Sequence, residues 1–321
     1  MSVAVIIVNY GVADLAAGAV DSVLSQTLTR DVEIHLVDNA SPGDDPEKLK
    51  SIHKEREWGT RVTLWLEDQN HGFGEGNNVV LRALADRETK PEFVFLLNPD
   101  ASLEGDAITE LAKTIEADPG VAAAGAGLRD SNGAPATAAF RFPGMISELE
   151  HTASLGLMTR FLKNFRVALS PDLPAGPVDW VSGAAVMFRF QALMDVDFFD
   201  PDFFLYYEEV DLMRRLKERG WITYYVPSAK VLHHEGASTG VRQDVETKRN
   251  PSYLYHSWLV YFSKSLGRSK ALILALLLFP AAALNLFQFR IRGRQSSLPK
   301  GFFSDHWRYV VRPLIGGGRA S

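Results

Sequence analysis

The sequence has no cysteine among its 321 residues. This absence excludes disulfide bonds, thiolate zinc sites and cysteine nucleophiles, and it fits a reducing compartment. No secretory signal opens the chain, because Met1 leads directly into an apolar run, so we expect a cytoplasmic protein. The hydrophobic fraction of 46% indicates a globular chain rather than a disordered one.

The glycine patterns of two common nucleotide-binding folds are also missing. A Rossmann dinucleotide fold needs G-x-G-x-x-G after its first strand, whereas "NYGVADL" (9–15) has one glycine there. The chain contains no Walker A sequence. A sugar nucleotidyltransferase would be an alternative class of enzyme with this kind of sheet. The same stretch lacks the Gly- and Arg-rich phosphate loop of such an enzyme, which argues against it. "NHGFGEGNN" (70–78) is rich in glycine and predicts either close backbone approach to a ligand or a tight turn.

Acidic residues are scarce at the end of the chain. Residues 264–321 contain ten Lys or Arg and one acid, Asp305, so this segment carries +9 and the rest of the chain −14. Such a basic segment predicts attraction to a polyanion. We expect that polyanion to be an anionic membrane surface and not a nucleic acid.

Short apolar runs alternate with helical patterns over the first 260 residues. The alternation predicts an α/β fold with a mainly parallel sheet and helices on both sides. Predicted strands cover residues 3–9, 32–38, 92–98, 121–126, 184–190 and 221–227. Predicted helices cover residues 14–26, 46–58, 77–86 and 106–117.

Polar residues end the first three predicted strands, at Asn9, at Asp38 and at Asn98 with Asp100. Such residues also start turns and cap helices. In open α/β sheets, however, ligands bind at the carboxyl edge, and a carboxylate there can hold a divalent cation against a diphosphate. Asp100 fits this use, with Pro99 fixing the chain direction before it.

Two later stretches carry further candidates. Glu208, Glu209 and Asp211 follow the aromatic run "FFLYY", where an apolar setting can raise a carboxyl pKa and make it a general base. Acids in the first turn of a helix are also favoured by its dipole, so capping explains some of them. His233 ends a short predicted strand and is either a structural histidine or a metal ligand beside Asp100.

Taken together, these motifs resemble family 2 glycosyltransferases of the GT-A fold, and most closely the bacterial rhamnosyltransferases and galactofuranosyltransferases. The resemblance covers about residues 1 to 260. The motifs occur in the family's order, as "VAVIIVNYG", "VDNAS", "NHGFGEGNN", "LLNPDA", "WVSGAAVMFR", "DPDFFLYYEEVDLMRRLKERGW" and "VLHHEGAS".

The resemblance implies a role for each motif. Asp38 would read the pyrimidine base, and Asp100 would be the last Asp of the D-x-D metal motif, completed by His233. Glu209 would remove the proton of the acceptor hydroxyl. The remaining nucleotide-binding positions would be Asn9, Tyr10, Asn70, Gly76, Asn77 and Asn98, and the sugar and acceptor would meet at Trp180, Gly183 and Ala184.

Two positions depart from the family pattern. Asn98 replaces the first Asp of D-x-D, which leaves the metal to Asp100, His233 and the diphosphate. Glu209 stands where the base is usually Asp, so Glu208 and Asp211 remain rival candidates.

The implied function is inverting transfer of a sugar from a nucleotide diphosphate, with Mg²⁺ or Mn²⁺ as cofactor, to a glycan or polyprenyl-linked acceptor. The resemblance favours L-rhamnose from dTDP-rhamnose. Galactofuranose or an N-acetylhexosamine from a UDP-sugar is the alternative. A catalytically inactive nucleotide- or glycan-binding module is a second alternative, although the retained acids favour an enzyme of cell wall or polysaccharide biosynthesis.

The last segment contains an uncharged apolar run, residues 271–289, with basic residues on both sides. A single membrane crossing would place one basic cluster on the wrong side. We therefore predict a transferase domain over residues 1–250 and a helical region over 251–321 that lies on the inner face of the plasma membrane. A buried helical hairpin or an oligomer contact is the alternative.

Overall fold

The computed structural model describes residues 2–26, 31–154, 163–234 and 249–316, which belong to two compact units. The first unit consists of Met1–Phe140, Ala168–Pro201 and Glu208–Gln243. The second consists of Arg141–Val167, Asp202–Tyr207 and Asp244–Ser321. The domain boundary at residue 250 stays a prediction.

The first unit is built on a mixed sheet of nine strands within the described residues. Its order is β3-β2-β1-β4-β10-β6-β11-β5, with β8 beside β11, and β7 and β9 form a separate pair. In chain order the strands are β1 (Ser2–Asn9), β2 (Asp31–Asn39), β3 (Val62–Glu67), β4 (Phe93–Leu97), β5 (Ala101–Glu104), β6 (Val121–Arg129), β7 (Ala139–Phe140), β8 (Gly176–Val178), β9 (Trp180–Val181), β10 (Ala185–Arg189) and β11 (Ile222–His233).

Strand direction confirms the predicted mainly parallel sheet around the first four strands. β3, β2, β1 and β4 are parallel neighbours, and β6 is parallel to β11. β10 runs antiparallel between β4 and β6, while β5 and β8 run antiparallel to β11. β4 is buried along its whole length, as its unbroken apolar sequence predicts for a central strand.

Helices flank this sheet, and most lie where the sequence predicts them. The helices of the first unit are α1 (Ala13–Leu24), α2 (Asp45–Glu55), α3 (Gly72–Ala85), α4 (Ala107–Ala117), α6 (Phe190–Asp195) and α7 (Glu208–Glu218). α1 buries a stripe of Ala and Val, and α4 buries a stripe of Ala, Leu and Ile.

The start predicted for α3 is wrong. Most of the glycine-rich stretch 70–78 is helix, because α3 begins at Gly72 and not at Asn77. Packing overrides the weak helix propensity of glycine here. A Cβ on Gly76 would lie 3.2 Å from both the Asn39 amide and Val8, so glycine allows α3 to approach the sheet closely.

The second unit is helical within its described residues. It contains α5 (Met145–Ala153), α8 (Ser252–Leu266), α9 (Arg268–Ile291), α10 (Phe302–His306), a π-helical turn (Trp307–Val311) and α11 (Arg312–Ile315). Among the described residues, α9 alone is long and apolar enough to cross a membrane by length and composition. Its buried residues are Ala271, Leu274, Ala275, Leu278, Ala282 and Asn285.

Candidate functional site

The carboxyl ends of β2, β1 and β4 meet at one edge of the sheet, as predicted. These strands are parallel neighbours, and Asn9 lies directly opposite Asp38 in the register. The short connection after β4 then places Asn98 and Asp100 along the same edge. The polar strand ends identified in the sequence are therefore brought together by strand direction alone.

Asn9 and Asp38 form one buried hydrogen-bond network. The Asn9 amide donates to Asp38 Oδ1 over 2.9 Å and to Ser41 Oγ over 3.0 Å. Asp38 is fully buried, and its other oxygen accepts from the Ser41 backbone N–H over 3.2 Å. The Ser41 hydroxyl also accepts from the Gly11 N–H over 2.8 Å. The network fixes the loop that carries Tyr10, whose side chain is exposed.

Sequence reasoning assigned no role to Ser41 or Asp45 in this network. Asp45 accepts from the Ala13 N–H over 3.0 Å and from the Asn9 amide over 3.3 Å. Ser41 lies in the quoted "VDNAS" motif, so a signal for it was present. Asp45 had no signal beyond its place at the start of a helix.

A second network links the end of β2 to the start of α3. The Asn39 amide donates to the Gly72 carbonyl over 2.9 Å and to Asn70 Oδ1 over 3.1 Å, and its oxygen accepts from the His71 N–H over 3.0 Å. Asn70 is thus held at the site edge. Asn77, by contrast, is buried and donates to the Phe73 carbonyl inside its own helix.

The candidate metal ligands Asp100 and His233 lie together. His233 Nε2 is 3.3 Å from Asp100 Oδ1 and 3.4 Å from the Asn98 amide nitrogen. Asp100 is 2% exposed, and the buried Nδ1 of His233 has no hydrogen-bond partner among the described residues. Two ligands of one octahedral Mg²⁺ or Mn²⁺ lie about 3 Å apart, so a carboxylate and an imidazole at this separation fit such a cation.

Other protein ligands do not join this pair in the described part of the chain. Over residues 2–26, 31–154, 163–234 and 249–316, the structure has no group of three or more His, Asp or Glu side chains that could hold a metal. The rest of the "VLHHEGAS" motif after His234 lies outside these residues. A six-coordinate cation held by these two residues would have further positions for the oxygens of a ligand.

Glu208 is buried and Glu209 is half-buried at the start of α7. Burial, together with the charge of Glu209, raises the pKa of Glu208 well above its ordinary range. Burial also raises the pKa of Glu209, although backbone N–H groups at the helix start partly offset this. One oxygen of each carboxyl is buried and has no hydrogen-bond partner within the residues that the structure describes. A raised pKa favours proton uptake at both carboxyls, most strongly at Glu208.

Asp211 has a different environment from the two glutamates. It is fully buried, and its two oxygens accept from Arg214 over 2.8 Å and from Arg215 over 2.6 Å. The Arg215 guanidinium also donates hydrogen bonds to the carbonyls of Val196 and Phe198. This arrangement ties α7 to the segment before it and engages both oxygens of the Asp211 carboxylate with arginine.

The Gly183–Ala184 segment, predicted to contact sugar and acceptor, lies next to both Asn98 and Glu209. The Ala184 carbonyl accepts from the Asn98 N–H over 2.8 Å, and Gly183 lies on the other side, where a Cβ would be 3.8 Å from Glu209 Cβ. Phe73 would be closer still to that Cβ, at 3.2 Å, so only glycine fits without a shift. Trp180 stacks on Phe140 with ring centroids 4.0 Å apart.

Two glycosyltransferase family profiles match the chain. Residues 4–166 match the family described as "Glycosyl transferase family 2", and residues 93–292 match "Glycosyl transferase family group 2". Together the two matches include every candidate site residue from Asn9 to His233.

Curated relatives carry rhamnosyltransferase names. The N-acetylglucosaminyl-diphospho-decaprenol L-rhamnosyltransferase of Mycobacterium tuberculosis is 31% identical over 229 residues, which are 68% of this chain and 71% of that protein. The rhamnosyltransferase WbbL of Escherichia coli is 24% identical over 166 residues, covering 51% of this chain and 61% of WbbL.

Solved glycosyltransferase structures share the fold. The Pyrobaculum calidifontis mannosyltransferase PcManGT was solved with GDP-Man and Mn²⁺. It matches with a TM-score of 0.55 at 17% identity, over 91% of this chain and 76% of the PcManGT chain. Residues 1–349 of S. aureus TarS, solved with UDP-GlcNAc, have a TM-score of 0.58 at 14% identity over 98% of this chain and 82% of that chain. This likeness and the mixed sheet establish a GT-A-like fold. Because a family 2 model matches residues 4–166 and a named relative is 31% identical over 68% of the chain, the chain belongs to glycosyl transferase family 2, and it is a glycosyltransferase.

Proposed function

We propose that this glycosyltransferase moves L-rhamnose from dTDP-rhamnose to a hydroxyl of a lipid-linked glycan, with inversion at the anomeric carbon. The observation that carries the transfer step is the Gly183–Ala184 segment, which contacts Asn98 next to Asp100 on one side and approaches Glu209 on the other. The 31% identical relative, named as a rhamnosyltransferase for a decaprenol-linked substrate, supports the choice of sugar and acceptor.

Each group has a defined part in the proposed reaction. Asn9 and Asp38 shape the edge that holds the nucleotide, and Asp100 with His233 would hold Mg²⁺ or Mn²⁺. Such a cation supplies charge neutralisation for the departing diphosphate when it is bound. Glu209 accepts the proton of the acceptor hydroxyl as that oxygen attacks the anomeric carbon from the face opposite the diphosphate.

The location follows from the proposed acceptor. A polyprenyl-linked glycan is anchored in a bilayer, so the enzyme must work at a membrane surface. We place it peripherally on the cytoplasmic face of the plasma membrane, which the basic residues of the second unit would favour.

The test has a binding stage and a transfer stage. Donor binding is measured as a rise in melting temperature with dTDP-rhamnose, UDP-galactofuranose, UDP-GlcNAc and GDP-mannose, each with and without Mn²⁺, because a ligand that binds only the native state stabilises it. Transfer is then measured as dTDP release and mass gain of an N-acetylglucosaminyl-diphospho-polyprenol acceptor. Stabilisation by dTDP-rhamnose with Mn²⁺, followed by transfer, is the expected result. Selective response to another donor would contradict the proposed sugar.

A further inference from the structure

Helix α9 has two faces of opposite character. One face is buried in the second unit and carries small or apolar residues together with Asn285. The opposite face, which we call the outer face, is apolar and exposed. Its large side chains, with their exposed fractions, are Ile273 (52%), Leu276 (45%), Leu277 (42%), Leu284 (42%), Phe287 (63%) and Ile291 (70%). Their spacing of three, one, seven, three and four residues keeps them on one side of the helix.

Polar side chains tie the buried face of α9 to the end of α5. The Asn285 amide donates to the Thr152 carbonyl over 2.9 Å, and the Gln288 amide donates to the carbonyls of Ala153 and Ser154 over 2.5 and 3.0 Å. These bonds satisfy the free carbonyls at the C-terminus of α5. These bonds hold one side of α9 against the second unit and leave the outer face as the side that can meet a membrane.

Further apolar side chains lie in the short helices after α9 and line a groove on a flank of α9. Leu286 on α9 lines one groove with Leu298, Phe302 and Phe303. Phe303 also stacks beside Phe279 of α9, with ring centroids 6.0 Å apart. Exposed aromatic and aliphatic side chains follow in this region, including Trp307 at 50% and Ile315 at 60% exposure.

The charges in the segment that carries this surface are almost all positive. Residues 264–316 contain nine Lys or Arg and a single acid, Asp305. Asp305 is 1% exposed and accepts two hydrogen bonds from Arg249, over 2.7 and 2.5 Å. It therefore contributes little negative electrostatic potential at the protein surface. The nine basic residues are Lys264, Arg268, Lys270, Arg290, Arg292, Arg294, Lys300, Arg308 and Arg312.

Basic residues stand at both ends of α9, with Arg268 and Lys270 before the apolar stretch and Arg290 after it. At 1.5 Å per residue these ends are about 33 Å apart, close to the thickness of a bilayer core. A crossing would place one group on each side of the membrane, against the positive-inside rule. An orientation in the membrane plane places both groups against the same anionic headgroups.

We propose that the outer face of α9, together with the exposed Trp307, lies in the plane of an anionic bilayer at the boundary between headgroups and acyl chains. Apolar burial and the surrounding positive charges together supply the two attractions that stable peripheral binding requires. This inference rests on the membrane location proposed above and names the surface that provides it.

The first test is co-sedimentation of the full chain with vesicles. Vesicles of phosphatidylcholine alone are compared with vesicles of equal parts phosphatidylcholine and phosphatidylglycerol. Binding to the anionic vesicles that weakens as salt is added is the expected result. Absence of binding to the anionic vesicles would overturn the proposal, and so would resistance of the membrane-bound protein to carbonate extraction, since that behaviour indicates a span.

Two triple variants separate the apolar and the electrostatic contributions. Leu277→Gln/Leu284→Gln/Phe287→Gln should weaken binding by at least about tenfold. Its matched control changes three exposed apolar residues of the first unit, Leu15→Gln/Leu66→Gln/Ile222→Gln, and should bind as wild type does.

The charge variant is Arg290→Gln/Arg292→Gln/Arg294→Gln. It should weaken binding to anionic vesicles by about fivefold for each charge removed. Its control, Lys50→Gln/Lys54→Gln/Lys113→Gln, removes three exposed charges of the first unit and should have no effect.

A fluorescence measurement that leaves the outer face of α9 unaltered tests the proposal even if the triple variants misfold. Brominated lipids should quench emission of the wild-type protein, and Trp307→Phe should lose part of that quenching. Equal quenching in both would overturn the placement of Trp307. If the outer-face variant turns a dimer into a monomer and still binds vesicles normally, the surface is an interface between two copies and the proposal fails.

The donor-induced rise in melting temperature needs no vesicles and therefore reports on the proposed function separately. Loss of vesicle binding with the donor response intact contradicts only the membrane surface. Normal vesicle binding without a melting-temperature response to dTDP-rhamnose contradicts only the proposed donor.

Discussion

The Nε2 atom of His233 lies 3.3 Å from the Oδ1 atom of Asp100. Backbone pairing produces this proximity: β11 is antiparallel to β5 with His233 opposite Ala101, and the His234 N–H donates to the Asp100 carbonyl over 2.9 Å. The two side chains are therefore held together before any cation arrives. Ligands fixed in this way bind without a large cost of ordering.

The first prediction concerns the metal. Asp100→Asn and His233→Ala should each raise the Mn²⁺ concentration needed for dTDP to stabilise the protein by about tenfold or more, because each removes one of two protein ligands. The measurement is the melting temperature with dTDP across a Mn²⁺ titration. Glu88→Gln removes an exposed carboxylate of the first unit and serves as the control. An unchanged Mn²⁺ requirement in both ligand variants would reject the site.

The second prediction concerns the base. Glu209→Gln should lower kcat by about 10²- to 10⁴-fold, since the amide cannot accept the proton of the acceptor hydroxyl. Donor affinity should change little, and the donor-induced melting shift checks this. Glu208→Gln is the matched variant, one residue away with the same change of charge. A nearly inactive Glu208→Gln beside an active Glu209→Gln would transfer the role to Glu208.

The third prediction is the pH dependence of transfer. Burial raises the pKa of the Glu209 carboxyl above its ordinary value of 4.5. A base must be ionised, so kcat should fall as pH falls through this raised pKa, with a midpoint above 4.5. Glu208, whose pKa is raised further, is protonated before Glu209 as pH falls, so Glu208→Gln should leave the midpoint nearly unchanged. The check is kcat at saturating substrates against pH, and a wild-type midpoint at or below 4.5 would disagree with the burial of Glu209.

The fourth prediction separates Asp211 from the other acids. Asp211→Asn should lower the free energy of unfolding by about 2–4 kcal/mol, because Arg214 and Arg215 lose a buried partner. Glu218→Gln removes the exposed partner of the same Arg214 and should cost less than about 1 kcal/mol. Urea denaturation measures both. If Asp211→Asn keeps full stability and loses transfer, Asp211 is a catalytic group.

Much of the first unit was predictable because its strands are strongly patterned. The apolar runs that became β1, β2 and β4 end within a residue or two of their predicted ends, and their polar ends share one edge because parallel strands do so. Strands β3 and β5 were not predicted. β3 buries only Val62, and β5 has only four residues, so neither has a clear period.

Other differences come from tertiary packing. The predicted strand at 221–227 and the "VLHH" stretch are one strand, β11, which continues through Pro227 because the pairing with β6 shifts register between Val226 and Lys230. Such irregularities accommodate proline within a sheet. Asp211 could have been recognised as a structural residue from Arg214 and Arg215, which follow it at helical spacings of three and four.

The bonds from Asn285 and Gln288 to the last carbonyls of α5 have a practical consequence for protein preparation. Truncation after residue 267 would remove an aggregation-prone helix, but it would also leave the carbonyls of Thr152, Ala153 and Ser154 without these donors and uncover the apolar side of α5. The shortened protein should therefore express poorly. Polar substitutions confined to the outer face of α9 are the better route to a soluble sample for crystallisation.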